Sequence, residues 1–382
     1  MTTTTPSPPP YVRSKLEQIV RDAGFVEFRI EYEPGSKQGD GFIGQIVRAR
    51  ICGDRRKAED GSVEKGKKWS LICKYLLDDP VLREKFNSMV LFEREVFVTG
   101  RCCRSLSGSS WSRDLAERRM VMKDKYVPTD FEHTQPVMVA LGKLNACSFA
   151  LKQQRPEVFD KIRKLDYLMH LVMSTEQTAP LAARNCKLAA SLFTGAQRDR
   201  FLALQNNLWE KARQQVAPEN LEPYAAFNHG DCWINNVMYG YDASSGAVND
   251  LVLLDWQMAN CGPPTVDLHS FVHLCGRVEL RREKLDTLLD AFYDAFAGTF
   301  RRLGGGDPEQ VLPRDVVPRL MNRFGGPVFA MGVFGMPILC RLPEEFFQED
   351  EEGRGKEQYR ESYGRYVEMV KEFAVDMKDV EF

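Results

Sequence analysis

Apolar and polar residues alternate along residues 26–32 (VEFRIEY), which is the pattern of a half-buried β-strand. A series of glycines follows, and a second strand is expected around residues 46–51. Residues 69–77 (WSLICKYLL) predict a third, more apolar strand that is interrupted by Lys74. The polar stretch 53–68 is expected to be the exposed loop between the second and third strands. The amino-terminal part of the chain is therefore predicted to be rich in strands.

Further along, the pattern changes to the helical period, in which apolar residues recur every three or four positions. The clearest case is residues 281–302, whose apolar stripe belongs to the core and not to a cofactor site. Helices are predicted over residues 80–98, 131–152, 157–172, 197–214, 281–302 and 359–377. Strands in the first part and helices in the rest indicate an α+β protein.

Composition supports a two-lobed globular protein. The chain has 382 residues, which exceeds the size at which one hydrophobic core keeps growing. Its 52 Lys and Arg nearly balance its 54 Asp and Glu. A net charge of −2 gives no electrostatic reason to expect nucleic acid or an anionic membrane as a partner.

The remaining composition signals point to the cytoplasm. Residues 1–10 (MTTTTPSPPP) lack the basic and apolar regions of a secretory signal and resemble a disordered lead-in. No run reaches the roughly 18 apolar residues that a membrane span needs. The ten cysteines contain no CxxC pair, which favours reduced thiols over a disulfide framework.

The chemistry is concentrated in one stretch, NHGDCWINNVMYGYDASSGAVNDLVLLDWQ. Asp231 is followed five positions later by Asn236, and Asp255 ends an apolar, strand-like run. Phosphoryl transfer needs a carboxylate that accepts the proton of the attacking hydroxyl, together with oxygen ligands for Mg²⁺. His-Gly-Asp alone is a weak signal, because Asp and Asn are also common turn residues. The addition of Asp255 makes the pattern much more specific.

Other chemistries have less support. The motifs GxSxG, HExxH and GxxxxGK[ST] are absent, which argues against an α/β-hydrolase, a zincin and a P-loop enzyme. His269 and His273 stand four residues apart on a predicted helix and would offer two zinc ligands, which is the weaker alternative.

The motif HGDCWINNVMY, together with LLDWQMANCGPPTVDLHSF and LGKLNACSFALK, resembles one family in particular. This is the insect ecdysteroid kinase-like family, within the aminoglycoside phosphotransferase and choline kinase branch of the protein-kinase-like fold. The resemblance covers most of residues 15–340. It implies a nucleotide-binding lobe rich in strands (15–124, with an atypical hinge region at 99–124) and a large, mainly helical lobe with the catalytic loop and the acceptor pocket (125–382). Residues 1–14, which precede the resemblance, are predicted to be a disordered lead-in.

The resemblance also implies roles in the carboxy-terminal lobe. Asp231 would be the catalytic base, and His229 would fix the catalytic loop close to the phosphates. Asn236 and Asp255 would hold Mg²⁺. Residues near Asp267 would brace the site.

In the amino-terminal lobe, Lys74 would bind the nucleotide phosphates and pair with Glu95, with Glu93 as the alternative partner. From its own strand pattern alone, Lys74 is also compatible with a solvent-facing position. Gly39 and Gly41 would let backbone amides approach the phosphates, although a plain hairpin explains them about as well.

One region departs from the family. Residues 99–118 are rich in Ser, Arg and Cys and show no strand pattern, and only residues 120–124 look like the end of the hinge strand. Asn145 stands where relatives usually carry His.

The sequence therefore predicts a cytoplasmic, monomeric enzyme that uses ATP and Mg²⁺. It would phosphorylate a hydroxyl of a small, lipophilic molecule such as an ecdysteroid or another steroid or xenobiotic alcohol. The alternative is a catalytically impaired homologue or a small-molecule-binding protein. The short hinge region would then reflect either lineage variation or an incorrectly spliced or frameshifted gene model.

Overall fold

The computed structural model describes residues 8–34, 44–57, 60–76, 88–98, 119–173, 175–176, 178–343, 346–347 and 357–380. Contacts group these residues into two units. The first contains the described residues up to Met89, and the second contains those from Val90 onward. This division differs from the predicted lobe boundary at residue 124, because it leaves the residues after Met89 with the helical unit.

The first unit is an antiparallel sheet with one helix. Strands β1 (Phe25–Pro34), β2 (Gly44–Arg56) and β3 (Val63–Leu76) pair in the order β1-β2-β3. Helix α1 (Pro10–Asp22) packs its apolar face on one side of the sheet, because every fourth residue of the helix meets every second residue of β2. The buried residues of this contact are Val12, Leu16, Val20, Val47, Ala49 and Ile51.

Two expectations for this unit need correction. The lead-in predicted over residues 1–14 overlaps α1, which already begins at Pro10. The loop predicted over residues 53–68 is mostly strand, since β2 and β3 pair as far as Arg56 and Val63. Strands can pair here without apolar side chains, because the pairing is made by backbone hydrogen bonds. The side chains in this part of the hairpin are charged instead, and Lys57 Nζ lies 3.7 Å from Glu64 Oε1.

The second unit is mainly helical and also contains five short strands within the described residues. Helix α2 (Ser88–Phe97) begins two residues before the boundary and lies mostly in this unit. The other helices are α3 (Phe131–Gln154), α4 (Pro156–Arg163), α5 (Met169–Val172), α6 (Ala179–Ala190), α7 (Gly195–Leu204), α8 (Leu208–Gln215), α9 (Pro218–Leu221), α10 (Val266–Ser270), α11 (Val278–Glu283), α12 (Leu285–Arg302), α13 (Val316–Arg323), α14 (Gly326–Leu339) and α15 (Arg360–Asp376). Its strands are β4 (Val121–Met122), β5 (Ala226–Asn228), β6 (Val237–Tyr241), β7 (Val248–Leu253) and β8 (Asn260–Gly262). Strands and helices together confirm the α+β prediction.

Three predicted helices are interrupted. The helix expected over residues 157–172 breaks after α4, where the Leu165 carbonyl accepts a hydrogen bond from Cys261 N at 2.8 Å instead of continuing the helix. The helix expected over residues 197–214 is divided into α7 and α8, and the one expected over residues 281–302 begins at Leu285, after the separate helix α11.

The contact between α3 and α12 supports the site. Gly142 of α3 lies against α12 so closely that a Cβ there would be 2.2 Å from the Phe292 carbonyl oxygen. The rings of Phe149 and Phe296 meet edge to face at 5.5 Å. Ser148 Oγ accepts a hydrogen bond from Phe227 N at 2.7 Å, so α3 also anchors β5, the strand that leads into the His-Gly-Asp stretch.

Strand pairing places the segments that carry the candidate residues. Strand β5 pairs with β8, and β6 pairs with both β4 and β7, all antiparallel. Across the described residues, no helix combines the length and the apolar character that crossing a bilayer requires.

Candidate active site

Asp231 and Asn236 belong to the loop that connects β5 to β6, residues 229–236, here called the Asp231 loop. The side-chain amide Nδ2 of Asn236 donates to Asp231 Oδ2 at 3.0 Å and to the Asp231 carbonyl at 2.8 Å. These two bonds fix the carboxylate of Asp231. Because Asn236 Nδ2 is used in both bonds, Oδ1 is the atom of this side chain that could bind a metal ion.

Asp255 follows β7 in an unusual conformation. Its φ of 62° lies in the left-handed region, which residues other than glycine rarely adopt and which is often found at functional sites. The preceding Leu254 bonds to the Asp231 loop in both directions. Its N–H donates to the Asn236 carbonyl at 2.8 Å, and its carbonyl accepts from His229 Nε2 at 2.7 Å. The structure therefore brings Asp231, Asn236 and Asp255 together in the second unit.

His229 links these segments as a neutral imidazole. Its Nδ1 accepts a hydrogen bond from Asp231 N at 3.3 Å, so the hydrogen-bond pattern assigns the ring proton to Nε2. Burial lowers the pKa of His229, and the nearby Asp267 opposes that shift only in part. The ring also packs on Trp256, with the centroids 4.6 Å apart. These contacts hold His229 between the Asp231 loop and the segment before Asp255, and its functional role stays a prediction.

Asp267 of α10 anchors the start of the loop. Its buried carboxylate accepts hydrogen bonds from His229 N at 2.6 Å and Gly230 N at 2.9 Å. Gly230 has a φ of 80°, and a Cβ there would lie 2.0 Å from the Met258 carbonyl oxygen. Only glycine fits this position without moving the backbone.

In the first unit, Lys74 of β3 pairs with Ile46 of β2, so it lies on the sheet face opposite to α1. It is half-buried there, which differs from a fully solvent-facing position. Helix α2 carries Glu95 half-buried and Glu93 exposed. Gly39 and Gly41 lie outside the described residues, as do residues 99–118 of the predicted hinge.

The sequence match completes this description. The model of the ecdysteroid kinase-like family matches residues 112–305, just over half of the chain. The chain belongs to this family. Among curated proteins, none matches it. Family membership confirms the expected kinase-like fold and makes the protein a kinase-like phosphotransferase in general class. The matched range contains Asp231, Asn236 and Asp255, whereas Lys74 and Glu95 precede it.

The oxygen atoms at the site suit Mg²⁺. The Asn236 amide oxygen and the Asp255 carboxylate are hard ligands of the kind that Mg²⁺ prefers. Within the described residues, no group of three or more His, Cys, Asp or Glu side chains could hold a metal ion. Asn236 and Asp255 are the predicted protein ligands of such an ion, and this assignment stays a prediction.

The zinc alternative receives no support from the described residues. The rings of His269 and His273 are 4.4 Å apart, but His273 Nδ1 is bonded to the His269 carbonyl at 3.0 Å. Burial lowers the pKa of both imidazoles, for His273 to about 4. The pair is best described as neutral histidines in the core.

Two residues near the site were missed at the level of sequence. Arg94 of α2 donates through Nη1 to the carbonyl oxygens of Asp166 and Ala259, the latter at 3.1 Å, and thus ties α2 to the segment after Asp255. Burial lowers the pKa of Arg94 to about 10, so the guanidinium stays charged at neutral pH. Tyr167 shares a cavity with Asp231. Neither residue belongs to a sequence motif. Each contacts residues that are far away along the chain, so no local pattern could have indicated them.

Proposed function

We propose that this protein transfers the γ-phosphate of ATP to a hydroxyl group of a small, lipophilic molecule of the steroid or xenobiotic alcohol type. One observation carries the proposal. The hydrogen bonds of Leu254 join the Asp231 loop to Asp255, so a candidate base and two candidate metal ligands share one site. Membership of the family supports phosphotransfer as the reaction class.

In this proposal Asp231 accepts the proton of the acceptor hydroxyl. The bonds from Asn236 hold its carboxylate in one orientation, so little rearrangement is needed when the acceptor arrives. His229 supports the loop from the other side, and because both of its ring nitrogens are already hydrogen-bonded, Asp231 is the proposed base. The Cys232 thiol does not compete as a nucleophile, because burial raises its pKa.

Lys74 is the proposed contact for the nucleotide phosphates, and Glu95 remains a predicted nucleotide-binding residue. Asn236 and Asp255 would hold Mg²⁺, which neutralises charge on the transferring phosphate when it is bound. The hydrogen bonds that join these segments come from the Leu254 backbone and not from the Asp255 side chain. The loss of the Asp255 carboxylate is therefore expected to act on Mg²⁺ without disturbing Asp231.

A transfer assay tests the proposal. The full-length protein is incubated with labelled ATP, Mg²⁺ and a panel of hydroxylated lipophiles, and the phosphorylated product is measured. Calorimetric titration with ATP, with and without Mg²⁺, gives the nucleotide affinity separately. Asp255→Ala is expected to abolish the Mg²⁺-dependent part of ATP binding, whereas Asp286→Ala, an exposed carboxylate on α12, leaves it unchanged.

The outcomes separate the proposal from its rival. Phosphate transfer that depends on Mg²⁺ and on Asp255 supports an active kinase. Mg²⁺-dependent ATP binding without transfer to any acceptor supports the catalytically impaired homologue. Unchanged Mg²⁺-dependent binding in Asp255→Ala contradicts the assignment of this residue as a metal ligand.

A further inference from the structure

Arg48 of β2 is a second basic residue on the sheet face that carries Lys74. It lies opposite to α1, because the residues on either side of it in the strand pack on that helix. In the register of β2 and β3, Ile46 pairs with Lys74 and Arg48 pairs with Ile72, so Arg48 and Lys74 are diagonal neighbours. Diagonal neighbours lie about 7–8 Å apart, a distance that long side chains can span. Both residues are half-buried.

The guanidinium of Arg48 contains a donor without an acceptor. Its Nε atom is shielded from solvent, and none of the described residues accepts a hydrogen bond from it. Glu33 lies directly opposite Arg48 on β1, but its Oε1 atom is 2.8 Å from Nε of Arg50 instead. A buried donor that lacks an acceptor costs stability, and the cost is larger for a charged group. An anion that comes from outside the protein would remove this cost.

The two basic side chains favour an anion with several oxygen atoms. Arg48 and Lys74 carry the same charge, so an anion that reaches both is stabilised by both. The planar guanidinium matches the spacing of phosphate oxygens, whereas the lysine ammonium acts as a point charge. A chain of phosphates offers separate oxygen atoms to each of the two groups.

We propose that Arg48 binds the phosphate chain of the nucleotide together with Lys74. The inference rests on the proposed function, which assigns the phosphates to Lys74, and it adds a second cation from the neighbouring strand. The Arg48 guanidinium donates hydrogen bonds to non-bridging phosphate oxygens. These oxygens supply the acceptor that the described residues do not provide. Arg48 holds the nucleotide and takes no part in the transfer of the proton.

The binding of phosphates can be measured without a transfer reaction. ATP and inorganic tripolyphosphate are each titrated calorimetrically into the full-length protein and into Arg48→Met. We expect the variant to bind both roughly 10–100-fold more weakly, which is the usual effect of losing a hydrogen bond between charged groups. Arg29→Met is the matched control, because Arg29 is an exposed arginine on the same sheet face and pairs with Glu31.

Thermal unfolding separates a ligand contact from a structural role. Arg48→Met replaces a buried donor that lacks an acceptor with an apolar chain, so the unfolding temperature without nucleotide is expected to stay the same or to rise. Added ATP should raise this temperature less in the variant than in the unmodified protein, since the variant binds ATP more weakly. A clear fall in the unfolding temperature without nucleotide would make Arg48 a structural residue and overturn the inference.

The outcomes distinguish this inference from the proposed function. Unchanged binding of ATP and tripolyphosphate in Arg48→Met overturns the inference and leaves the proposed function intact. Weaker binding of ATP alone also overturns it, because Arg48 then contacts the nucleoside and not the phosphates. An equal loss in Arg29→Met overturns it as well, since the overall charge then explains the effect. If binding depends on Arg48 but no hydroxylated lipophile is phosphorylated, the inference stands and the proposed function fails.

Discussion

The two units of this protein hold their candidate residues in different ways. In the helical unit, Asp267 and His229 fix the Asp231 loop through buried hydrogen bonds at 2.6–2.9 Å. In the strand unit, Lys74 is placed by strand register on the sheet face that α1 leaves uncovered, where Arg50 and Glu33 form an exposed pair. The proposed proton acceptor thus lies in a network of buried hydrogen bonds that tolerates little change. The lysine proposed to bind the phosphates lies on a sheet whose stability depends on its other face, which packs on α1.

The substitution with the largest expected effect is Asp231→Asn in the helical unit. The amide can still accept the hydrogen bond from Asn236, but it cannot accept the proton of the acceptor. Turnover is expected to fall by about 10²–10⁴-fold, the usual contribution of a general base. Steady-state kinetics and ATP titration measure the two effects separately, with Asp286→Asn as an exposed control. Near-normal turnover would remove Asp231 from the mechanism.

Lys74→Met tests the other unit. The change removes one charged contact to the phosphates, worth about 1.5–3 kcal/mol, and should weaken ATP binding by roughly 10–100-fold. Because Lys74 lies off the face that packs on α1, the thermal unfolding temperature should change little. Lys68→Met, an exposed lysine on the same strand and face, is the matched control. If both variants weaken ATP binding equally, the effect comes from the overall positive charge and not from a contact between Lys74 and the phosphates.

Acid should weaken the helical unit selectively, because all five histidines lie in it. Burial, with a contribution from Arg281, lowers the pKa of His273 to about 4. Between the ordinary value near 6.5 and this value, the unfolded chain binds the proton and the folded protein does not, so stability falls as the pH falls. At pH 5 this histidine alone costs about 2 kcal/mol relative to pH 7.

Urea unfolding at the two pH values measures that loss. His229 and His269 shift in the same direction and add to it. His273→Gln should reduce the difference between pH 7 and pH 5 by about 2 kcal/mol, whatever it does to stability at pH 7. If His273→Gln loses as much stability between pH 7 and pH 5 as the unmodified protein does, the pKa of His273 is not lowered in the folded state.

The smallest expected effect concerns the exposed pair of the sheet. Arg50 Nε lies 2.8 Å from Glu33 Oε1, with the two side chains 55% and 42% exposed. Exposed pairs contribute about 0.2–1 kcal/mol, so Arg50→Ala should lower the stability by less than about 1 kcal/mol. Chemical unfolding at low and high salt checks this. A loss above 2 kcal/mol would mean that the sheet depends on its charged face after all.

The sequence by itself predicted the candidate site residues and most of the helices and strands. Asp231, Asn236 and Asp255 were identified by residue type and spacing, and the apolar stripe of α12 by its period. Such signals are local, because the period of a helix or strand is set by neighbouring residues along the chain. The same local signals predicted a loop over residues 53–68 and an unbroken helix over residues 157–172, both of which are wrong.

Only the tertiary structure decided how the site is held. The Leu254 carbonyl, the Asp267 carboxylate and the Arg94 guanidinium each bond to groups 25 or more residues away. A backbone carbonyl is the same in every residue, so no residue type reveals which one accepts a distant hydrogen bond. The helix break after Arg163 has the same cause, since Leu165 bonds to the strand β8. Long-range hydrogen bonding has no sequence period, and it is what turns three spaced residues into one site.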